Sequence, residues 1–103
     1  MEKSETINYV RDTLRYTLFS DTSQNNEYII EMTKYGIIFI PVYPLTYFID
    51  EKFYNKLFNI LSLALMPEYT LIRPLTMQVI TLADRPMSEK RGLFFPMIKE
   101  QAQ

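Results

Sequence analysis

The chain has 103 residues, a formal net charge of −1, eight tyrosines and seven phenylalanines, and neither histidine nor cysteine. Those two absences remove the usual neutral-pH acid/base, the thiolate nucleophile and the commonest ligands for zinc and other transition metals. Its two glycines, Gly36 and Gly92, are too few for a dinucleotide fingerprint or a P-loop.

The length suits one domain, 1–103, able to bury about two-thirds of its unfolded surface without disulfides or metals. An apolar fraction of 48% beside 22% charge fits an ordered globule rather than a disordered chain. Residues 1–50 hold seven acids and four bases, and the remainder five and seven, an asymmetry too weak to indicate nucleic acid by itself. The opening Met-Glu-Lys-Ser-Glu has no basic flank before an apolar run, so no signal peptide is expected. The longest uncharged stretch, Tyr35 to Ile49, is 15 residues with Pro41 and Pro44 inside it, whereas a membrane-spanning helix needs about 20. The expectation is a soluble, cytoplasmic protein, in the host cell if the source is viral, with no membrane association. Heavy use of Ile, Tyr, Phe, Asn and Lys suits an AT-rich microbial or viral genome.

In chain order, residues 4–19 read as a helix capped by Ser4, with Ile7, Val10, Leu14 and Leu18 forming one apolar stripe. Residues 20–27 form a polar loop. Tyr28 to Met32 and Ile37 to Tyr43 are β-rich runs joined by a short turn in which Gly36 supplies a positive φ. Tyr28, Ile30 and Met32 share one face of the first run. The second run is apolar on both faces and belongs inside the sheet, and Pro41, lacking an N–H, implies an edge, a bulge or the end of pairing. Leu45 to Ile49 is a third short strand or none. Asp50 caps a helix over 51–66 that Pro67 closes, with a broad apolar arc including Tyr54, Leu57, Phe58, Leu61 and Leu65. Tyr69 to Ile72 and Leu75 to Leu82 read as two strand pieces split by Pro74, although the second also admits a helix with Pro74 at its start. Residues 83–92 form a polar loop, and 93–103 hold a last apolar segment broken by Pro96. The fold class is α+β, an antiparallel sheet of four to five strands packed by one or two helices, in the order α-β-β-(β)-α-β-β. This order is similar to that of small acidic secretion chaperones and other dimeric α+β domains, without a shared residue motif.

Chemistry-bearing side chains are sparse. Asp50 and Glu51 are adjacent at a helix start, where a cap and a partner for the helix dipole explain them better than a two-carboxylate hydrolase does. Glu31, Glu68 and Asp84 are too dispersed for an oxygen-ligand metal site. No catalytic residue, metal or cofactor is expected.

Contact-forming residues are more numerous. Tyr9 and Tyr16, with Phe19 nearby, lie opposite the apolar stripe of the first helix and read as a protein interface or as ordinary half-exposed aromatics. Arg11 and Arg15 either grip anionic groups or are a solvated flank. Leu93, Phe94 and Phe95 belong either to an arm that docks or is exchanged between subunits, or to the last strand of the chain's own sheet. Arg85, Lys90 and Arg91 beside these aromatics form a thin version of a nucleic-acid surface. The combined reading is a non-enzymatic homodimer that binds a protein partner in an accessory, regulatory or chaperone-like role. The alternative is a small nucleic-acid-binding protein using the basic C-terminal loop.

Overall fold

The computed structural model describes residues 3–19, 27–43 and 45–99. Helix α1 (Lys3–Thr17) is followed by strands β1 (Glu27–Met32) and β2 (Gly36–Val42), helix α2 (Glu51–Leu65), and strands β3 (Tyr69–Leu71), β4 (Val79–Thr81) and β5 (Arg91–Lys99). The result is a small α+β fold with a curled, five-stranded antiparallel sheet. The expected loop 20–27 falls on undescribed residues except Glu27, which already belongs to β1. Residues 100–103 also lie outside the described part.

Leu45–Phe48 forms a 3₁₀ turn, not a third strand. A strand directly after β2 would have to pair with it, and both sides of β2 are taken, one by β1 and the other by β5. The first helix already includes Lys3, so Ser4 lies in its first turn and does not precede it.

The β1–β2 turn is held by Thr33, whose hydroxyl accepts from Tyr35 N at 3.1 Å and Gly36 N at 3.2 Å while Thr33 N donates to Gly36 O at 2.8 Å. Gly36 has φ 159°, the positive φ expected of the turn's glycine and one that L side chains rarely adopt. A Cβ there would also collide with the Phe95 carbonyl oxygen of the neighbouring strand.

Strand β5 is central. On one side it pairs with β2, Phe39 opposite Leu93 and Ile37 opposite Phe95. On the other it pairs with β4 through Arg91 to Leu93 and with β3 through Met97 to Lys99. β3 and β4 are thus two halves of one edge strand, interrupted as the split at Pro74 foretold. Residues 75–77 leave the ladder, and only Val79–Thr81 of the second piece is strand. The anticipated loop 83–92 ends earlier, since Arg91 and Gly92 already belong to β5.

Alternation sends Ile37, Phe39, Leu93, Phe95 and Met97 to the face covered by the helices. Asp50 starts α2 by accepting from Phe53 N at 2.8 Å. The helix then presents Tyr54, Leu57, Phe58, Leu61 and Leu65 to the sheet, all buried. Val10 and Leu14 of α1 close the same core and are fully buried.

Candidate functional site

Helix α1 turns two tyrosines outward. Tyr9 is 53% exposed and Tyr16 77% exposed. Glu5 and Asp12, also exposed, complete the helical series 5, 9, 12, 16, which lies along one face. Beside Tyr9 a depression of about 250 Å³ opens against the end of α2, lined by Ala64, Met66 and Pro67 among others.

Phe19 does not join this face. The helix ends at Thr17 and Phe19 N reaches back to Leu14 O at 2.9 Å, so the helical angle no longer applies to it. Its ring stacks on Tyr28 at 4.9 Å, which stacks in turn on Phe39 at 5.0 Å. Burial pushes the Tyr28 hydroxyl pKa up, opposed by Arg11 and Arg15. Arg11 also donates to Ile30 O of β1 at 3.5 Å.

Of the two readings of Leu93, Phe94 and Phe95, the structure has them as part of strand β5 of the chain's own sheet. Leu93 and Phe95 are buried and Phe94 is half-buried, so they present no continuous apolar surface.

The basic residues do not act as a group. Arg85 pairs with Glu31 and, at 3.2 Å, with Glu89. Lys90 donates from Nζ to Ala83 O at 2.9 Å. Arg91 is exposed, with no side-chain partner among the described residues. The carboxylates are similarly engaged, Asp50 as the cap and Glu51 accepting from Met77 N at 3.2 Å. Among the described residues no three acidic side chains gather as a metal site, and no helix is long and apolar enough to cross a membrane.

A second cavity, about 190 Å³, lies where the ends of β2, β4 and β5 meet. Its origin is legible in the ladder. Odd-numbered residues of β2 face β5, and the pair after Phe39–Leu93 would be Pro41 with Arg91. Proline has no N–H to give, so the ladder stops and the two strands part. Pro41, Ile49, Met77, Val79, Met87 and Leu93 line the opening, with Arg91 and Lys90 beside them. Arg91 and the missing donor of Pro41 are each conspicuous along the chain, but no local signal brings them together. Doing so requires knowing that β5 lies next to β2.

No family model, curated protein or solved structure matches this chain.

Proposed function

We propose that the chain is a non-enzymatic homodimer that binds another protein, in an accessory, regulatory or chaperone-like role. The observation that carries this is the outward face of α1. Two tyrosines stand seven residues apart on it with most of their surface exposed, and tyrosine is favoured where a ring is buried against a partner while its hydroxyl stays bonded.

A second copy of the chain fits this face. Glu5 lies in the first turn of α1 and Arg15 in the last. Two such helices packed antiparallel about a two-fold axis would bring Tyr9 of each opposite Tyr16 of the other, with the acidic first turn of each helix toward the basic last turn of its partner. Self-complementarity of this kind is what a closed dimer requires. Antiparallel packing also sets the opposed ends of the two helix dipoles side by side.

Sedimentation equilibrium tests the reading. A mass near twice 12.3 kDa is expected, falling to that of one chain for the double variant Tyr9→Ala, Tyr16→Ala with its circular dichroism unchanged. A single-chain mass for the unaltered protein across micromolar concentrations would refute the dimer.

A further inference from the structure

The cavity at the end of the sheet combines features that neither the fold nor the dimer explains. It is apolar where it is lined by Pro41, Ile49, Met77, Val79, Met87 and Leu93, and positive beside Arg91. Met87 is 85% exposed despite lying against it. Unbranched, polarizable methionines adapt to differently shaped side chains. Arg91 has no side-chain partner among the described residues, and the nearest acid along the chain, Glu89, is occupied by Arg85.

Size narrows the occupant. At about 190 Å³ the space falls below the roughly 300–1,000 Å³ of pockets that enclose small-molecule ligands. It suits one large apolar side chain, the kind of anchor that dominates protein–protein contacts. Backbone geometry adds a second element. Phe94 N donates to Gln78 O at 2.8 Å and Leu82 N to Lys90 O at 2.6 Å, so even-numbered residues of this strand face β5. Val79 and Thr81 therefore turn their backbone groups away from the sheet. Among the described residues nothing pairs with that edge of β4. An extended segment laid along it would gain main-chain hydrogen bonds while one side chain enters the cavity.

Charge argues against a second copy of this chain as the occupant. Its most exposed large apolar side chain among the described residues, Leu75, belongs to a segment that carries Arg73 and no acid. Inserting it would bring like charges together at Arg91.

We propose that the cavity captures an extended, acidic segment of a partner protein by one large apolar side chain, with Arg91 pairing a flanking carboxylate. This rests on the protein-binding reading above but not on its dimer face, which lies on α1.

The test uses the full chain and backbone-amide NMR titrations with acetyl-Asp-Asp-Phe-Asp-Asp-amide. Saturable shifts at Met77, Val79, Met87 and Arg91 to Leu93 are expected. Arg91→Gln should weaken binding about tenfold, the loss typical of one charge-assisted hydrogen bond. Met87→Ala, at an exposed position, should weaken it while leaving the spectrum of the free protein folded. Replacing the peptide's phenylalanine by alanine, or its aspartates by lysines, should abolish the shifts. The proposal is overturned by equal binding of the lysine peptide or by no saturable shift at the cavity. It is also overturned if octanoate binds as tightly as the peptide, which would make this a small-amphiphile site. Cavity shifts that depend on protein concentration alone would assign it to self-association. Peptide capture that fails while the sedimentation mass stays at two chains refutes this inference alone; capture by a single-chain protein refutes only the dimer.

Discussion

The Tyr54 hydroxyl donates a 2.6 Å hydrogen bond to the carbonyl oxygen of Phe94, forty residues away on the central strand. Phe94 N already donates to Gln78 O, so a regular antiparallel pair would have Gln78 N donate back to Phe94 O. Instead the tyrosine hydroxyl stands between them, accepting from the Gln78 backbone and donating to Phe94. Ile72 N bonds Pro96 O at 2.8 Å, so residues 73–77 are looped out opposite the single residue Phe95. Tyr54 fills the space they vacate, its ring stacked on Phe95 at 4.4 Å. The loop is held against α2 by Arg73, which donates to Asn59 at 2.7 Å and lies 4.1 Å over the Phe58 ring.

Tyr54→Phe should therefore cost more than one exchanged hydrogen bond. It keeps the ring but leaves a carbonyl and an N–H of the ladder without their partner, and a buried unsatisfied polar group costs about 1–3 kcal/mol. Urea denaturation at neutral pH checks this; a loss below about 0.5 kcal/mol would mean the strand edge closes without the hydroxyl.

Alkaline pH offers a second view of the same residue. Burial is the main cause that raises the Tyr54 and Tyr28 hydroxyls above the ordinary tyrosine value, because it disfavours the phenolate. A raised folded-state pKa means that the folded chain holds its proton where the unfolded chain has lost it. The associated stability is complete below about pH 10, the unfolded value, and is lost as pH rises through the higher folded values. Unfolding free energy measured against pH should fall above about pH 10, in step with tyrosinate absorbance. Combining Tyr28→Phe with Tyr54→Phe should flatten that decline, and an unchanged slope would assign it to other groups.

Helix α2 is the centre of the core, so Leu57→Ala and Leu61→Ala, both at positions with no exposed surface, should each cost about 2–5 kcal/mol. Lys56→Ala, on the solvent side, should change stability by less than about 0.5 kcal/mol. Denaturant midpoints with an unchanged slope provide the comparison. Similar losses for both classes would contradict the packing of this helix.

Much of this arrangement is legible along the chain because it depends on local signals. Asp50, the apolar arc of α2, the doubly apolar β2 and the break near Pro74 each announce themselves within a few residues. Pro41 announces the end of a ladder without saying which strand lies across it. What stays hidden depends on long-range pairing. The run from Leu93 to Ile98 reads equally well as arm or strand, and only its register with Ile37 and Phe39 makes it central. Phe19 falls off the outward face because helical phase does not extend past Thr17, where the helix ends. The cavity draws on Pro41, Ile49, Met77, Met87 and Arg91, five positions spread over 51 residues, and no spacing rule joins them.

The two glycines should respond unequally to alanine. At Gly36 the added methyl group meets backbone, the Phe95 carbonyl oxygen, and also Phe94 Cε1 at 3.0 Å, so β2 and β5 would have to separate. At Gly92 it meets side chains, Ile38 Cγ2 at 2.9 Å with Ile80 and Leu82 atoms at 3.5 Å, which can shift. Gly92→Ala should cost about 1–3 kcal/mol, the usual range for overpacking, and Gly36→Ala more. Thermal melts of the two variants decide it, and an equal or smaller loss at Gly36 would place the strands farther apart than described.

Tight binding to DNA or RNA at physiological salt is not expected. Phosphate-driven binding requires several lysines and arginines free to displace counterions on one surface. Here Arg85 is paired with Glu31 and Glu89, Lys90 is bonded to Ala83 O, and Arg11 reaches Ile30 O. That leaves Arg91 as the one unengaged cation of the C-terminal basic loop among the described residues. A single cation gives little affinity and a shallow salt dependence, since the slope scales with the number of phosphates neutralised. A gel-retardation series with single- and double-stranded probes across salt concentrations checks this. Binding that weakens steeply with salt and disappears in Lys90→Glu with Arg91→Glu would replace protein binding with nucleic-acid binding. The peptide titration at the sheet-end cavity would then report on a phosphate surface, and the lysine peptide would fail there through charge alone.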